Sequence, residues 1–224
     1  MSLHEFWVGV RTAIEAIPAL LVSPEPDPGD VERTLRDAAD AVAGFDQADF
    51  GFLPQSEQDQ LRHSVTEFLD RVKAASPTAQ PGDHAPRTLP VRLLTSLANI
   101  NDLLDFHRYA DPEAFRLGKL IEREIAHGQP PPGLAELRFR TGQDHTGDPG
   151  LWIQAYLDDH TTGSDEAFLA TARKLREYLG SVARRVCPDR FPYLSFRSLA
   201  EEAELMEAPR VSRPTSWSRP SISR

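Results

Sequence analysis

The chain has 224 residues, 40% of them apolar and 26% charged, a composition that suits a globular protein able to bury a sizeable core. No run reaches the ~18 apolar residues needed to span a bilayer, residues 1–6 lack the basic region and apolar stretch of a secretory leader, and the lone Cys187 excludes an intramolecular disulfide and a cysteine-based zinc cluster. A net charge of −9 opposes broad binding to nucleic acid phosphates, so the expectation is a cytoplasmic protein without membrane spans.

Ser2 and Glu5 form an S-x-x-E capping box, each side chain satisfying the other residue's backbone N–H. Phe6, Val10, Ile14, Ile17 and Leu21 then recur at helical spacing, with Trp7 widening the stripe. Pro18 is expected to kink or stop this first helix. Residues 23–29, with Pro24, Pro26 and Pro28, read as a stiff linker. Asp30 is expected to cap a second helix carrying Val31, Leu35, Ala38 and Val42.

Residues 44–54 are an aromatic loop whose Phe45, Phe50 and Phe52 should pin it to the core. Ser56 is expected to cap a third helix with Leu61, Val65, Phe68, Leu69 and Val72 on one side. Residues 76–90, rich in Pro, Gly, Asp and Thr, form the best candidate for a domain boundary. A fourth helix over residues 91–108 aligns Leu93, Leu97, Ile100 and Leu104. It also carries a polar face of Asn101, Asp105 and Arg108, to be solvated or paired with another helix. Asp111 followed by Pro112 then has the form of an N-cap and first helical position. The fifth helix offers Ala114, Leu117, Ile121 and Ile125 until Gly128 and Pro130 stop it.

Beyond residue 134 the spacing changes. Leu137 and Phe139 alternate with charged residues, as in a strand with one wet face. Residues 151–157 are apolar on both faces apart from Gln154, which predicts a central strand. Ser164 should cap a helix of about 22 residues buried along Phe168, Ala172, Leu175, Leu179, Val182 and Val186. A third strand over residues 191–197 has Pro192 at an edge or strand-start position, and a short acidic helix follows over residues 199–206. The fold class predicted is α+β and mostly helical, an N-terminal bundle of about five helices followed by a small ββαβ unit. The divisions expected are residues 1–80 as N-terminal helices, 81–133 as linker and central helical hairpin, 134–206 as the ββαβ unit with its acidic helix, and 207–224 as a disordered Ser/Arg/Pro tail.

The turn from Asp144 to Gly150 gathers the most chemical groups. Asp144, His145 and Asp148 offer carboxylates and an imidazole within one loop, and Gly147 and Gly150 would let a backbone approach a ligand closely. The same residue types are also ordinary turn formers. Asp158 and Asp159 are expected simply to end the strand. Cys187 reads as a packing cysteine, because a helix C-terminus opposes thiolate formation. There is no G-x-x-x-x-G-K-[ST], no G-x-G-x-x-G after a strand, no H-E-x-x-H and no G-x-S-x-G, and no cofactor is expected.

The tail carries Arg210, Arg213, Arg219 and Arg224 without an acidic residue, which leaves the rest of the chain near −13 from the net of −9. Nucleic acid is therefore expected to bind, if at all, only through the tail. Two functional expectations follow. The first is a non-catalytic intracellular protein that binds another protein subunit, using Phe191, Tyr193 and Phe196 near an edge strand and Trp217 as an anchor in a tail that orders on its partner. An Ala-, Arg-, Pro- and Asp-rich composition adds the expectation of a bacterial multi-component system. The alternative is a small hydrolase or nucleotide-processing enzyme using Asp144, His145 and Asp148, with a divalent metal.

Overall fold

The structure is a computed structural model describing residues 2–22, 27–75, 88–159 and 163–207. In chain order it contains α1 (Leu3–Val22), α2 (Pro28–Ala43), a short 3-10 helix (Gly44–Gln47), α3 (Gln55–Ala75), α4 (Thr88–Leu104), α5 (Pro112–His127), β1 (Leu134–Gln143), β2 (Pro149–Leu157), α6 (Asp165–Val186), β3 (Phe191–Ser198) and α7 (Leu199–Glu207). The α+β class and the ββαβ order stand as expected. Parts of the two expected linkers, residues 23–26 and 76–87, and the tail from residue 208, lie outside the described residues.

Local chemistry sets most helix ends. The Ser2–Glu5 capping box is formed, with the Ser2 amide donating to Glu5 Oε2 at 2.5 Å and the Glu5 amide donating to Ser2 Oγ at 3.2 Å. Helix α1 continues through Pro18, which sits exposed on the side away from the buried Ala13 and Ile17. The proline thus lies where its ring meets solvent, and the apolar stripe holds the helix together across it. Asp27, rather than Asp30, caps α2: its Oδ1 accepts from the Gly29 amide at 2.7 Å, and Pro28 takes the first helical position. Helix α3 starts at Gln55, one residue before the expected Ser56 cap, because the Pro54 carbonyl already accepts from the Glu57 and Gln58 amides at 3.0 and 3.1 Å.

Helix α4 ends at Leu104, short of the expected residue 108, because Asp105 takes a left-handed conformation with φ 48°. An aspartate tolerates this when its side chain bonds locally, and here Oδ1 accepts from the Arg108 amide at 3.2 Å. The turn aims the next residues at the sheet. The Phe139 amide donates to the Arg108 carbonyl at 2.7 Å, and the Ala110 amide donates to the Phe139 carbonyl at 3.0 Å. Arg108–Ala110 therefore cover the outer edge of β1.

The sheet is ordered β1-β2-β3, with β2 central. β1 and β2 are an antiparallel hairpin pairing Phe139 with Ile153 and Arg140 with Trp152. β2 and β3 are parallel, pairing Trp152 with Tyr193 and Ile153 with Leu194, and α6 makes the crossover. Side chains alternate across the strands. The inner face holds Leu137, Phe139, Leu151, Ile153 and Ala155 against α5 and α6, whose buried line includes Leu175, Leu179 and Val182. Helices α1 to α4 pack against one another, and α1 also meets α5. Buried residues from Phe6 to Cys187 form one cluster. The expected aromatic anchor holds, since Phe45 and Phe50 are buried and stack at 4.9 Å.

The outer face of the sheet as candidate interaction site

The Asp144–Asp148 loop is built by hydrogen bonds to one carboxylate. Asp144 Oδ1 accepts from the Thr146 amide (2.8 Å), the Thr146 hydroxyl (2.6 Å) and the Asp148 amide (3.0 Å). Its Oδ2 accepts from the Tyr193 hydroxyl at 2.6 Å. The Thr146 hydroxyl and Tyr193 phenol, with the two amides, hold the Asp144 carboxyl well below the usual carboxylate range. The same bond pushes the Tyr193 phenol up. Gly147 closes the turn with φ +89°, a conformation suited to glycine. His145 is exposed, and among the described residues it makes no hydrogen bond. Asp144, His145 and Asp148 thus share a turn without converging on a cleft: both Asp144 oxygens are engaged, and Asp148 Oδ2 lies 3.0 Å from the Thr146 hydroxyl. Among the described residues no group of three His, Cys, Asp or Glu side chains is placed to hold a metal ion.

Tyr193 links this loop to a row of rings across the outer face. Trp152 and Tyr193, opposite each other on β2 and β3, stack at 5.1 Å with planes 14° apart. Arg140, opposite Trp152 on β1, lays its guanidinium 4.9 Å from the Trp152 ring. Phe191 packs 5.0 Å from Tyr193 and is 60% exposed. Beneath the row lies the Gly142–Gly150 pair. A Cβ on Gly150 would stand 2.7 Å from Trp152 Cη2, so this glycine makes room for the protein's own indole.

The other end of this face is covered by α7. Arg138 lies 4.3 Å over the Tyr156 ring, donates to Glu136 at 2.7 Å and reaches Glu202 of α7 at 2.6 Å. Arg197 also pairs with Glu202, at 3.2 Å. Burial raises the Glu202 carboxyl, but hydrogen bonds from Arg138, Tyr156 and Arg197 outweigh it and hold the group below its ordinary value.

The partner-binding candidates divide three ways. Phe191 and Tyr193 lie on the outer face, Phe196 is half-buried on the α6 side with Arg176 5.3 Å from its ring, and Trp217 lies outside the described residues. Cys187 is buried, which pushes its thiol up. Trp152 and Arg140 are the residues that the sequence reading passed over. Trp152 is only half-buried, although a central strand was expected to be covered on both faces. A signal was present: Arg140 and Trp152 are equidistant from Thr146, so a hairpin centred there makes them neighbours. The other polar cluster, Arg108 with Glu122 and Tyr109, joins α5 to the turn before it. Tyr109 donates to Glu122 Oε2 at 2.8 Å, and Arg108 pairs with the other oxygen. Of the expected polar face of Asn101, Asp105 and Arg108, only Arg108 reaches another helix, through Glu122 of α5, while Asp105 pairs with Arg108 itself and both lie past the end of α4.

Compared with protein-family models, with curated proteins and with solved structures, this chain matches none of them.

Proposed function

We propose that this chain is a non-catalytic intracellular interaction protein, an accessory subunit that binds another protein through its C-terminal ββαβ unit, within a bacterial multi-component system. The observation that carries this reading is the uncovered part of the outer sheet face. Phe191, Tyr193, Trp152 and Arg140 form a contiguous aromatic and cationic row there, at the end that α7 leaves open. Aromatic residues and arginine are the types enriched where proteins meet. Both faces of the Trp152 ring are occupied, by Arg140 and Tyr193, which leaves no free ring face for an unstacked base. That geometry and the acidic net charge favour a protein over a nucleic acid. The engaged Asp144 carboxylate gives the alternative hydrolytic reading no support.

The test is gentle purification of the full chain from its native host, with mass measurement of the intact assembly. A stoichiometric companion lost when Tyr193→Ala and Phe191→Ala are introduced together is the expected result. A chain that runs alone, with or without those changes, removes this reading.

A further inference from the structure

Strand β3 is one of the two edge strands of the sheet, and among the described residues its far side pairs with no backbone. At about 3.3 Å per residue its eight residues offer a rail of about 26 Å. Beside that rail runs a groove of about 540 Å³ between α6 and β3, lined by Arg176, Glu177 and Arg184 of α6 and by Phe191, Tyr193 and Ser195 of β3. The devices that usually blunt an open edge are sparse here. Pro192 removes one N–H at the strand start and Arg197 stands near its end, but no lysine and no bulge interrupts residues 193–196.

Charge selects among occupants. Arg184 makes no ion pair among the described residues, and Arg176 lies over Phe196 without a carboxylate partner. Among the described residues most other arginines are ion-paired, Arg108, Arg138 and Arg190 included. In a chain of net −9, the groove is a local cationic strip, with Glu177 the one opposing charge among its described lining residues. The chain's own residues 208–224 carry four arginines and no acidic side chain, so they have the wrong sign for it. A second copy would bring a second cationic strip to the same seam.

Resting on the interaction reading above, we propose that β3 accepts an extended acidic segment of the partner protein as an added fourth strand. Main-chain hydrogen bonds to the β3 edge would supply affinity, as in other strand-addition complexes. Arg176 and Arg184 would select carboxylates at alternate positions, and the Phe191–Tyr193 ridge would take an apolar side chain between them.

The full chain is screened against displayed random peptides of about 12 residues, long enough to cover the strand. Enriched peptides are then synthesised with and without N-methyl groups on alternate backbone nitrogens, and binding is read by fluorescence anisotropy. The expected result is enrichment of Asp and Glu alternating with apolar residues. N-methylation should weaken binding about tenfold or more, and Arg176→Glu combined with Arg184→Glu should do the same while lowering the thermal midpoint by no more than loss of the exposed Arg176–Phe196 contact accounts for. These substitutions lie on exposed α6 positions, so the fold survives them. The proposal is overturned if no peptide is enriched, or if the enriched peptides are basic or neutral. Binding indifferent to N-methylation or to the reversals overturns it too. So does a homodimer that the reversals dissociate, or displacement of the peptide by oligouridylate. Peptide binding that ignores β3 leaves the interaction reading standing. A solitary chain from the native host together with an empty screen removes both.

Discussion

Gly118 shows how tightly single atoms are held where α5 crosses β1. A Cβ there would stand 2.5 Å from Tyr109 Cε1 and 2.8 Å from Phe139 Cδ2. Both rings are fully buried and stacked at 5.8 Å, so neither has space to withdraw. Gly118→Ala is expected to cost about 1–3 kcal/mol of stability despite alanine's better helix propensity; a urea midpoint at or above the wild-type value would show that the rings can shift. Asp144 provides a pH-dependent counterpart. Its folded carboxyl titrates lower than its unfolded one, so its contribution is present above the unfolded value near 3.9 and fades as pH falls below it. The difference in urea midpoint between wild type and Asp144→Asn should be full at neutral pH and shrink below about pH 4. A difference that stays constant into strong acid would mean that the charge is immaterial to the turn.

At the scale of elements, Asp111 fixes the angle between helix and strand. Its Oδ1 accepts from the Ala114 amide at 2.8 Å as the N-cap of α5 and from the Thr141 hydroxyl at 2.7 Å, while Oδ2 accepts from the Thr141 amide at 3.0 Å. Asp111→Ala should cost about 1–3 kcal/mol. Amide exchange should quicken at Ala114 and Thr141 together; protection lost at Ala114 alone would reduce the residue to a helix cap. Half of this joint is legible in the sequence, because Asp111 followed by Pro112 is a local signal. The tie to Thr141 is not, since it depends on how α5 lies on β1. The same division explains the other outcomes. Local patterns carry the Ser2–Glu5 box, the Ser164 cap, whose Oγ accepts from the Ala167 amide at 3.2 Å, and the chain order of strands and helices, whereas Asp27 and Asp30 both precede the same apolar stripe, and only Pro28 after Asp27 separates them. The Arg140–Trp152–Tyr193 row needs two strand registers at once, and the Arg108–Glu122 pair needs the left-handed turn at Asp105.

Across the whole molecule, Phe115 joins the helical half to the sheet unit. Its ring lies 5.1 Å from Trp7 of α1, 5.4 Å from Phe52 of the aromatic loop and 5.1 Å from Tyr109, which itself stacks on Phe139 of β1. Phe115→Ala should lower stability by about 3–5 kcal/mol. Since Trp7 and Trp152 report from opposite sides of that junction, fluorescence and far-ultraviolet dichroism should still fall at one denaturant concentration. Two separated transitions would show that the halves unfold independently.

The two flanks of the sheet are unequal, and that inequality has a consequence for assembly. Arg108–Ala110 already occupy the flank beyond β1, with Asp111 bonded to Thr141 alongside. A strand laid against β3 therefore finds no matching berth on the opposite side of the same molecule. Recruitment through the backbone should saturate at one guest for each host. Fibrous growth, which needs every added unit to offer two usable ends, has only one among the described residues from which to proceed.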